Sequence, residues 1–303
     1  MTPTSTLIGP AGAVSAAPRS DYLRPADLDE ALRLLARARD AVIVAGGTDL
    51  MVAANLRGWA PAALLDISRV EELRRVDDTG DLIRLGAGVT FGTILHEYAH
   101  RLPGLALAAR TVGSAQIRQR ATLGGNLATG SPAGDSHPAL LALDAQVEMR
   151  SLRGTRLVPL ADFLLGPQRT VLAPDELITA VLVEPHPGPQ LFAKVGRRSA
   201  MAIALCSLAL SIHSNGPRVR VAFGAAAPTA RRAWAAERFL VEAMRDAGGD
   251  TPPAELVAEF VRLVRGAADP IDDIRTTADY RRHALGVLAE RAVCRAWREM
   301  LCD

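Results

Sequence analysis

Thr122-Leu-Gly-Gly-Asn-Leu-Ala-Thr-Gly-Ser-Pro-Ala-Gly-Asp135 is the stretch on which the reading of this chain turns. Its fourteen residues hold four glycines (Gly124, Gly125, Gly130, Gly134) and five short polar side chains, with one proline and no aromatic. Adjacent Gly124 and Gly125 let backbone come into contact with a ligand and take conformations that other residues avoid. A run of N–H groups in such a turn makes an anion-binding concavity without any lysine. Thr122, Asn126, Thr129 and Ser131 add short donors, and Asp135 is suited to accept from a hydroxyl or a ring N–H. The competing reading is an ordinary polar loop, because Gly-Gly-Asn is also common turn chemistry.

A second glycine turn lies upstream. Val42-Ile-Val-Ala-Gly-Gly-Thr-Asp-Leu-Met51 reads as a short apolar strand, a Gly46-Gly47 turn and a helix start. Thr48 or Asp49 can cap that helix, whose free N–H groups and positive dipole end favour a phosphate. The spacing is not Gly-x-Gly-x-x-Gly and no Gly-Lys-Ser/Thr follows, so neither common nucleotide fingerprint is present. Two such turns can grip one diphosphate from both sides.

Together, Ala45-Gly-Gly-Thr-Asp-Leu-Met51, Thr122-Leu-Gly-Gly-Asn126 and Ser131-Pro-Ala-Gly-Asp135 resemble the FAD signatures of the molybdenum hydroxylase flavoprotein subunits. That family includes the medium subunit of aerobic carbon monoxide dehydrogenase and the FAD subunit or domain of xanthine dehydrogenases. The resemblance continues through Lys194-Val-Gly-Arg-Arg198 and Asp279-Tyr-Arg-Arg-His283 and so spans about residues 20 to 300. It implies an α+β chain, with a two-part PCMH-type FAD-binding domain over 21–187 (subdomains of about 21–75 and 76–187). A smaller α/β domain with an antiparallel sheet and C-terminal helices would follow over 188–303.

What the resemblance implies about the site is a noncovalent FAD. Ala45, Gly46, Gly47, Thr48, Asp49 and Leu50 would form the first pyrophosphate-side loop. Thr122, Gly124, Gly125 and Asn126 would form the second, with Asp135 near the ribityl or ring end. Lys194 matches a position near the flavin ring, where an ammonium favours the anionic reduced flavin. Thr48 and Asp49 stand where related covalent flavin oxidases carry an attaching histidine, so no tether is expected. The resemblance further implies a relay. A large partner subunit would oxidise the substrate at a molybdenum cofactor, and a small partner would pass electrons through two 2Fe–2S clusters. This chain's FAD would hand them to NAD or another acceptor, in a complex of two copies of each of three subunits.

Composition agrees with such a protein. Three hundred and three residues suit two domains, and 49% apolar with 22% charged residues describes an ordinary globular chain. A net charge of +2 and 4% aromatics argue against a nucleic-acid surface. Cys206, Cys294 and Cys302 form no Cys-x-x-Cys pair and cannot supply four thiolates, so any iron–sulfur cluster belongs elsewhere. Three scattered cysteines suit a reducing cytoplasm with buried thiols. His96 and His100, at helical spacing, lack a third ligand and read as a solvated helix end. Among 35 basic residues Lys194 is the only lysine, either a chance survivor of coding bias or a place where a compact ammonium is required.

Along the chain, residues 1–20 read as a mobile tail; there is no basic n-region for export, and no apolar run of membrane-spanning length. Leu28, Ala31, Leu32 and Leu35 mark a helix, and strands at 42–45 and 61–68 complete a β-α-β unit. Residues 82–85 form a strand, with Gly86 and Gly88 for close passage of backbone. Residues 90–100 and 105–117 read as helices that lead into the glycine loop. Residues 146–150 and 155–159 make a hairpin, and 176–184 is a central strand. The Pro185–Pro189 cluster separates the domains, and 191–195 is a strand. Residues 201–213 are either strand, in a hairpin with 218–223 across Asn215-Gly216, or buried helix. Helices follow at about 229–246, 252–265 and 277–301, the last with Tyr280, Ala284, Val287, Leu288 and Arg291 near one face and Arg281 and Arg282 exposed. Two rival functions stay open: a nonredox sugar-nucleotide or phosphate-binding enzyme, and a silent interaction module.

Overall fold

A computed structural model describes residues 21–38, 40–57, 61–214, 216, 218–246 and 251–300. The tail at 1–20, Asn215 of the expected hairpin turn and Cys302 lie outside these residues. Among the described residues no helix is long and apolar enough to cross a membrane.

The first unit is a parallel sheet of β1 (Asp21–Leu23), β2 (Ala41–Val44) and β3 (Ala63–Asp66), in the order β1-β3-β2. Helix α1 (Leu28–Arg37) begins where the Asp27 carboxylate accepts the N–H of Glu30 at 2.7 Å. Its stripe of Leu28, Ala31, Leu32 and Leu35 packs on Leu65, Val70 and Leu73, each buried leucine contributing about 1.5–3 kcal/mol. Between β2 and β3 the chain turns at Gly46-Gly47 and runs into α2 (Leu50–Arg57), in which no residue from Leu50 to Leu56 is fully buried.

The second unit is an antiparallel sheet of β4 (Val76–Asp78), β5 (Ile83–Gly86), β6 (Gln146–Ser151), β7 (Gly154–Pro159) and β10 (Leu177–Val183). Its order is β4-β5-β10-β6-β7, so 177–183 is central, as its uniform apolarity implied. Gly86 and Gly88 are needed because a Cβ there would lie 2.3 and 3.0 Å from the carbonyl of Leu73. Helices α3 (Phe91–Glu97), α4 (Pro103–Thr111), α5 (Ala115–Arg118), α6 (Leu123–Thr129) and α7 (Ser136–Ala142) carry the connection from β5 to β6. A short helix α8 (Leu160–Phe163) and a ribbon of β8 (Leu164–Gly166) and β9 (Arg169–Thr170) lead from β7 to β10.

Three expectations change here. The helix read over 105–117 is two helices, broken at Gly113, whose φ of 46° stops the first while Ser114 caps the second. The expected glycine loop is largely helical. Thr122 caps α6 by accepting the Gly125 N–H at 3.1 Å, Leu123 and Leu127 bury one face, and Gly130 ends it at φ 57°. His100 lies beyond the end of α3, so it shares no helix face with His96.

The third unit is an antiparallel sheet of β11 (Gln190–Gly196), β12 (Ala204–Ile212), β13 (Val219–Gly224) and β14 (Arg231–Arg232), in that order. Residues 204–212 are therefore strand, and every one is buried. Their uniform apolarity has a two-sided cause. Cys206, Leu208, Leu210 and Ile212 face the core built by α9 (Trp234–Asp246), α10 (Ala254–Gly266) and α11 (Ala278–Met300). Ala209 faces the other way, with Phe192 and Ala222, into the core of the second unit. Helix α11 corrects the reading of its own face. Arg281 is only 4% exposed, in register with Ala284, Leu285, Leu288 and Ala292, whereas Tyr280 is 45% exposed. A guanidinium fits that stripe because backbone carbonyls and one carboxylate receive it.

Candidate cofactor site

A cleft of ≈ 1460 Å³ runs between the first unit, the glycine segment of the second and the sheet of the third. Ala45, Gly46, Gly47, Thr48, Asp49, Leu50, Thr122, Gly124, Gly125, Asn126 and Asp135 all line it. Lys194 does not line it and stands one side chain back, behind Asp135.

The glycines differ in what they do. A Cβ on Gly46 would lie 2.1 Å from the Arg120 carbonyl oxygen, so this residue lets the two glycine segments touch each other. Gly124 does the same against Ala87, where a Cβ would meet Cβ at 2.6 Å. Gly47 is needed for its φ of 75°. Gly125 is otherwise open: its Cβ would meet only the Thr122 hydroxyl, at 2.8 Å. It is the glycine of the pair that leaves its space to the cleft.

The backbone donors are also unequal. In α6 the N–H groups of Leu123, Gly124 and Gly125 already bond Val89 O, Ala87 O and Thr122 Oγ1 at 2.9, 2.8 and 3.1 Å. The expectation of an open N–H run at 122–126 is thus corrected: helix formation and packing occupy those donors. At the first turn the N–H groups of Gly46, Gly47, Thr48 and Asp49 have no hydrogen-bond partner among the described residues. They stand at the start of an eight-residue helix, where the dipole adds its positive end. Thr129 Oγ1 donates to Asp49 Oδ2 at 3.1 Å and ties the end of α6 to this turn.

Asn126 presents its amide nitrogen, because its Oδ1 accepts from Ser136 Oγ at 2.7 Å. Its carbonyl is held by His137, whose Nε2 lies 3.2 Å away. His137 is wholly buried, and burial pushes its pKa down to about 4, so the ring is neutral and Nε2 carries the proton. Sequence reasoning passed over this histidine; its position directly after the Asp135-Ser136 pair was the available hint.

At the far end, Lys194 Nζ donates to Asp135 Oδ2 at 2.5 Å and to the carbonyls of Thr111 and Ala202 at 3.0 Å each. Three donors meet three acceptors around one compact ammonium, which a planar guanidinium cannot reproduce. That explains the lone lysine without placing it on the ligand. Burial raises the Asp135 carboxyl, while Lys194 and Thr111 pull it down, and burial prevails. Asp135 Oδ1 is buried without a partner, on a residue that lines the cleft.

The third unit supplies groups that the motifs did not announce. Arg281, Asp273 and Arg275 line the same end of the cleft as Met201 and Ile271. Arg281 Nη1 donates to the carbonyls of Leu205 and Ala225, both at 2.7 Å, and Nη2 pairs with Asp273 at 2.8 Å. Arg275 takes the other carboxylate oxygen at 3.0 Å. Backbone N–H groups and both guanidiniums hold Asp273 at about 2, against the pull of desolvation. Ala225 and Met201 are non-glycine residues at φ 58° and 48°, each fixed through its carbonyl by an arginine, Arg281 and Arg198 respectively.

This donor set fits a flavin dinucleotide. Free N–H groups at a helix start suit a diphosphate, the Asn126 amide adds a donor, and the orphan Asp135 oxygen suits a ring N–H or hydroxyl. No histidine stands at 45–50 to attach it covalently.

Known proteins match the chain over nearly its whole length. Residues 17–186 match the family described as the FAD binding domain in molybdopterin dehydrogenase, and 191–296 match the CO dehydrogenase flavoprotein C-terminal domain. The nicotine 6-hydroxylase medium subunit of Paenarthrobacter nicotinovorans is 34% identical over 92% of this chain and 98% of its own length. The xanthine dehydrogenase FAD-binding subunit of Escherichia coli O157:H7 is 30% identical over 91% and 96%. Among solved structures, carbon monoxide dehydrogenase from Hydrogenophaga pseudoflava superposes with a TM-score of 0.83 at 29% identity, covering 93% of this chain and 98% of that one.

Proposed function

The chain belongs to the FAD-binding flavoprotein subunits of the molybdenum hydroxylase family, and on that premise we propose that it is the electron relay of a three-subunit dehydrogenase. The observation that carries this reading is the run of N–H groups at Gly46–Asp49 without a partner among the described residues, on residues that line one cleft together with Gly125 and Asp135. In this reading the first turn binds the diphosphate and Gly125 leaves it room. Asn126 donates to it, and Asp135 orients the ring end, with Lys194 acting through Asp135. The group bound there stores two electrons and exchanges them singly or in pairs. The chain's residues hold it and set its surroundings.

The partners are a large subunit with a molybdenum cofactor, where substrate is oxidised, and a small subunit with two 2Fe–2S clusters, two copies of each chain. Three cysteines cannot build that relay, and Cys206 is buried with its thiol pushed up to about 12. NAD or another acceptor takes the electrons, in the cytoplasm. The same reading divides the chain near residue 187, at the link between β10 and β11. Acid precipitation of the purified chain tests the noncovalent site: all yellow colour should stay in the supernatant, and flavin left in the pellet contradicts it.

A further inference from the structure

The end of the cleft built by the third unit carries two groups of charges, and they do not carry equal net charge. Lys194 and Asp135 form a pair at 2.5 Å, with side chains 11% and 8% exposed, and cancel each other. The second group is Arg281, Asp273 and Arg275: two guanidiniums on one carboxylate, at 2.8 and 3.0 Å, leaving one positive charge in excess. All three of these line the cleft, whereas Lys194 does not. Arg281 is fixed there by two carbonyls, and its buried Nε has no partner. The neighbouring Asp272 accepts the N–H of Ala278 at the start of α11 and is not among the residues lining the cleft. The other cleft-lining cations, Arg69, Arg74 and Arg120, lie on the first unit or before α6, around the two glycine segments.

We propose that the charge favouring the reduced, more negative form of the bound flavin comes from the Arg281–Asp273–Arg275 cluster and not from Lys194. The inference rests on the FAD placement given above. A field of one sign in a partly desolvated cleft acts on any ligand that gains negative charge there. The lysine's field is cancelled by a carboxylate that lies between it and the cleft. Asp273 is the lever of the cluster: it is shared by both arginines, so its removal exposes a second positive charge.

Opposite signs make the test sharp. The flavin-loaded full chain is titrated anaerobically against redox dyes, after its flavin-to-protein ratio has been measured. Arg275→Met should make the reduced form about three- to tenfold less favoured, lowering the two-electron midpoint by about 15–30 mV. Asp273→Asn should raise it by a similar amount. Both shifts should shrink as salt rises, since Arg275 is 41% exposed. Arg281→Met, if it folds, should lower the midpoint further than Arg275→Met. Unchanged midpoints in the Arg275 and Asp273 variants, or shifts of the same sign, overturn the proposal. So does loss of flavin from either one, which would make the cluster a holding site. A wild-type chain that binds no flavin sinks the placement itself, an outcome distinct from all of these.

Discussion

Two glycine pairs flank the cleft and look alike in sequence, yet they solve different problems. At Gly46-Gly47 the backbone donors are open, and the chain turns through a positive φ into a helix. At Gly124-Gly125 the donors are taken up by α6 and its neighbours, and Gly124 serves contact with Ala87. The first pair can bind an anion through its backbone; the second makes space and presents Asn126. A glycine pair in sequence therefore reports close approach, but not to what. In the two pairs, Gly46 and Gly124 approach protein, and Gly125 approaches the cleft.

The largest effect should come from putting a side chain on the first pair. Gly46→Val places Cβ where the Arg120 carbonyl already is, which the two backbones can relieve only by separating. We expect a loss on the order of 3 kcal/mol or more in urea unfolding, with flavin lost as a consequence. A stable variant would mean that the two segments do not touch in solution. The second segment should show its dependence on His137 through pH. Its folded pKa of about 4 lies below the unfolded 6.5, so its contribution is complete above 6.5 and lost as pH falls through 6.5 to 4. The slope amounts to about 3 kcal/mol over that window. His213, pushed down to about 4 by burial and by His186, titrates alongside it. His137→Gln should therefore flatten the profile in part, and an unaltered slope would remove His137 from the account. A smaller effect belongs to the cap of α6. Thr122→Ala should cost about 1 kcal/mol and Thr122→Ser little, read from the unfolding midpoint. Equal loss in both would point to the methyl group instead of the hydroxyl.

Much of this was legible in the chain itself. The glycine motifs and the stretches at 194–198 and 279–283 led to the family, and the pattern of Leu28, Ala31, Leu32 and Leu35 placed α1. The helix at 123–129 was hidden because two adjacent glycines outweigh a cap and an i,i+4 leucine pair in any local reading. Its tertiary partners, the carbonyls of Val89 and Ala87, settle the matter and are invisible locally. The strand at 204–212 was ambiguous because it is covered on both faces, which erases the alternation. Arg281 was misplaced for a related reason: arginine on a helix reads as solvated unless its acceptors are known, and these come from β12, the turn at Ala225 and Asp273. Lys194 drew attention by being alone. The structure gives it three acceptors and a place behind the site.

The central claim is that the cleft between the two glycine segments holds the flavin, with Gly125 as the open approach. The most direct test is the flavin-to-protein ratio of Gly125→Val, measured beside its urea midpoint. Its new Cβ meets only the Thr122 hydroxyl within the protein, so stability should fall by about 1 kcal/mol, the worth of that cap. The ratio should drop from near one per chain to near zero while the fold persists. A folded variant that keeps its full complement of flavin would contradict the placement.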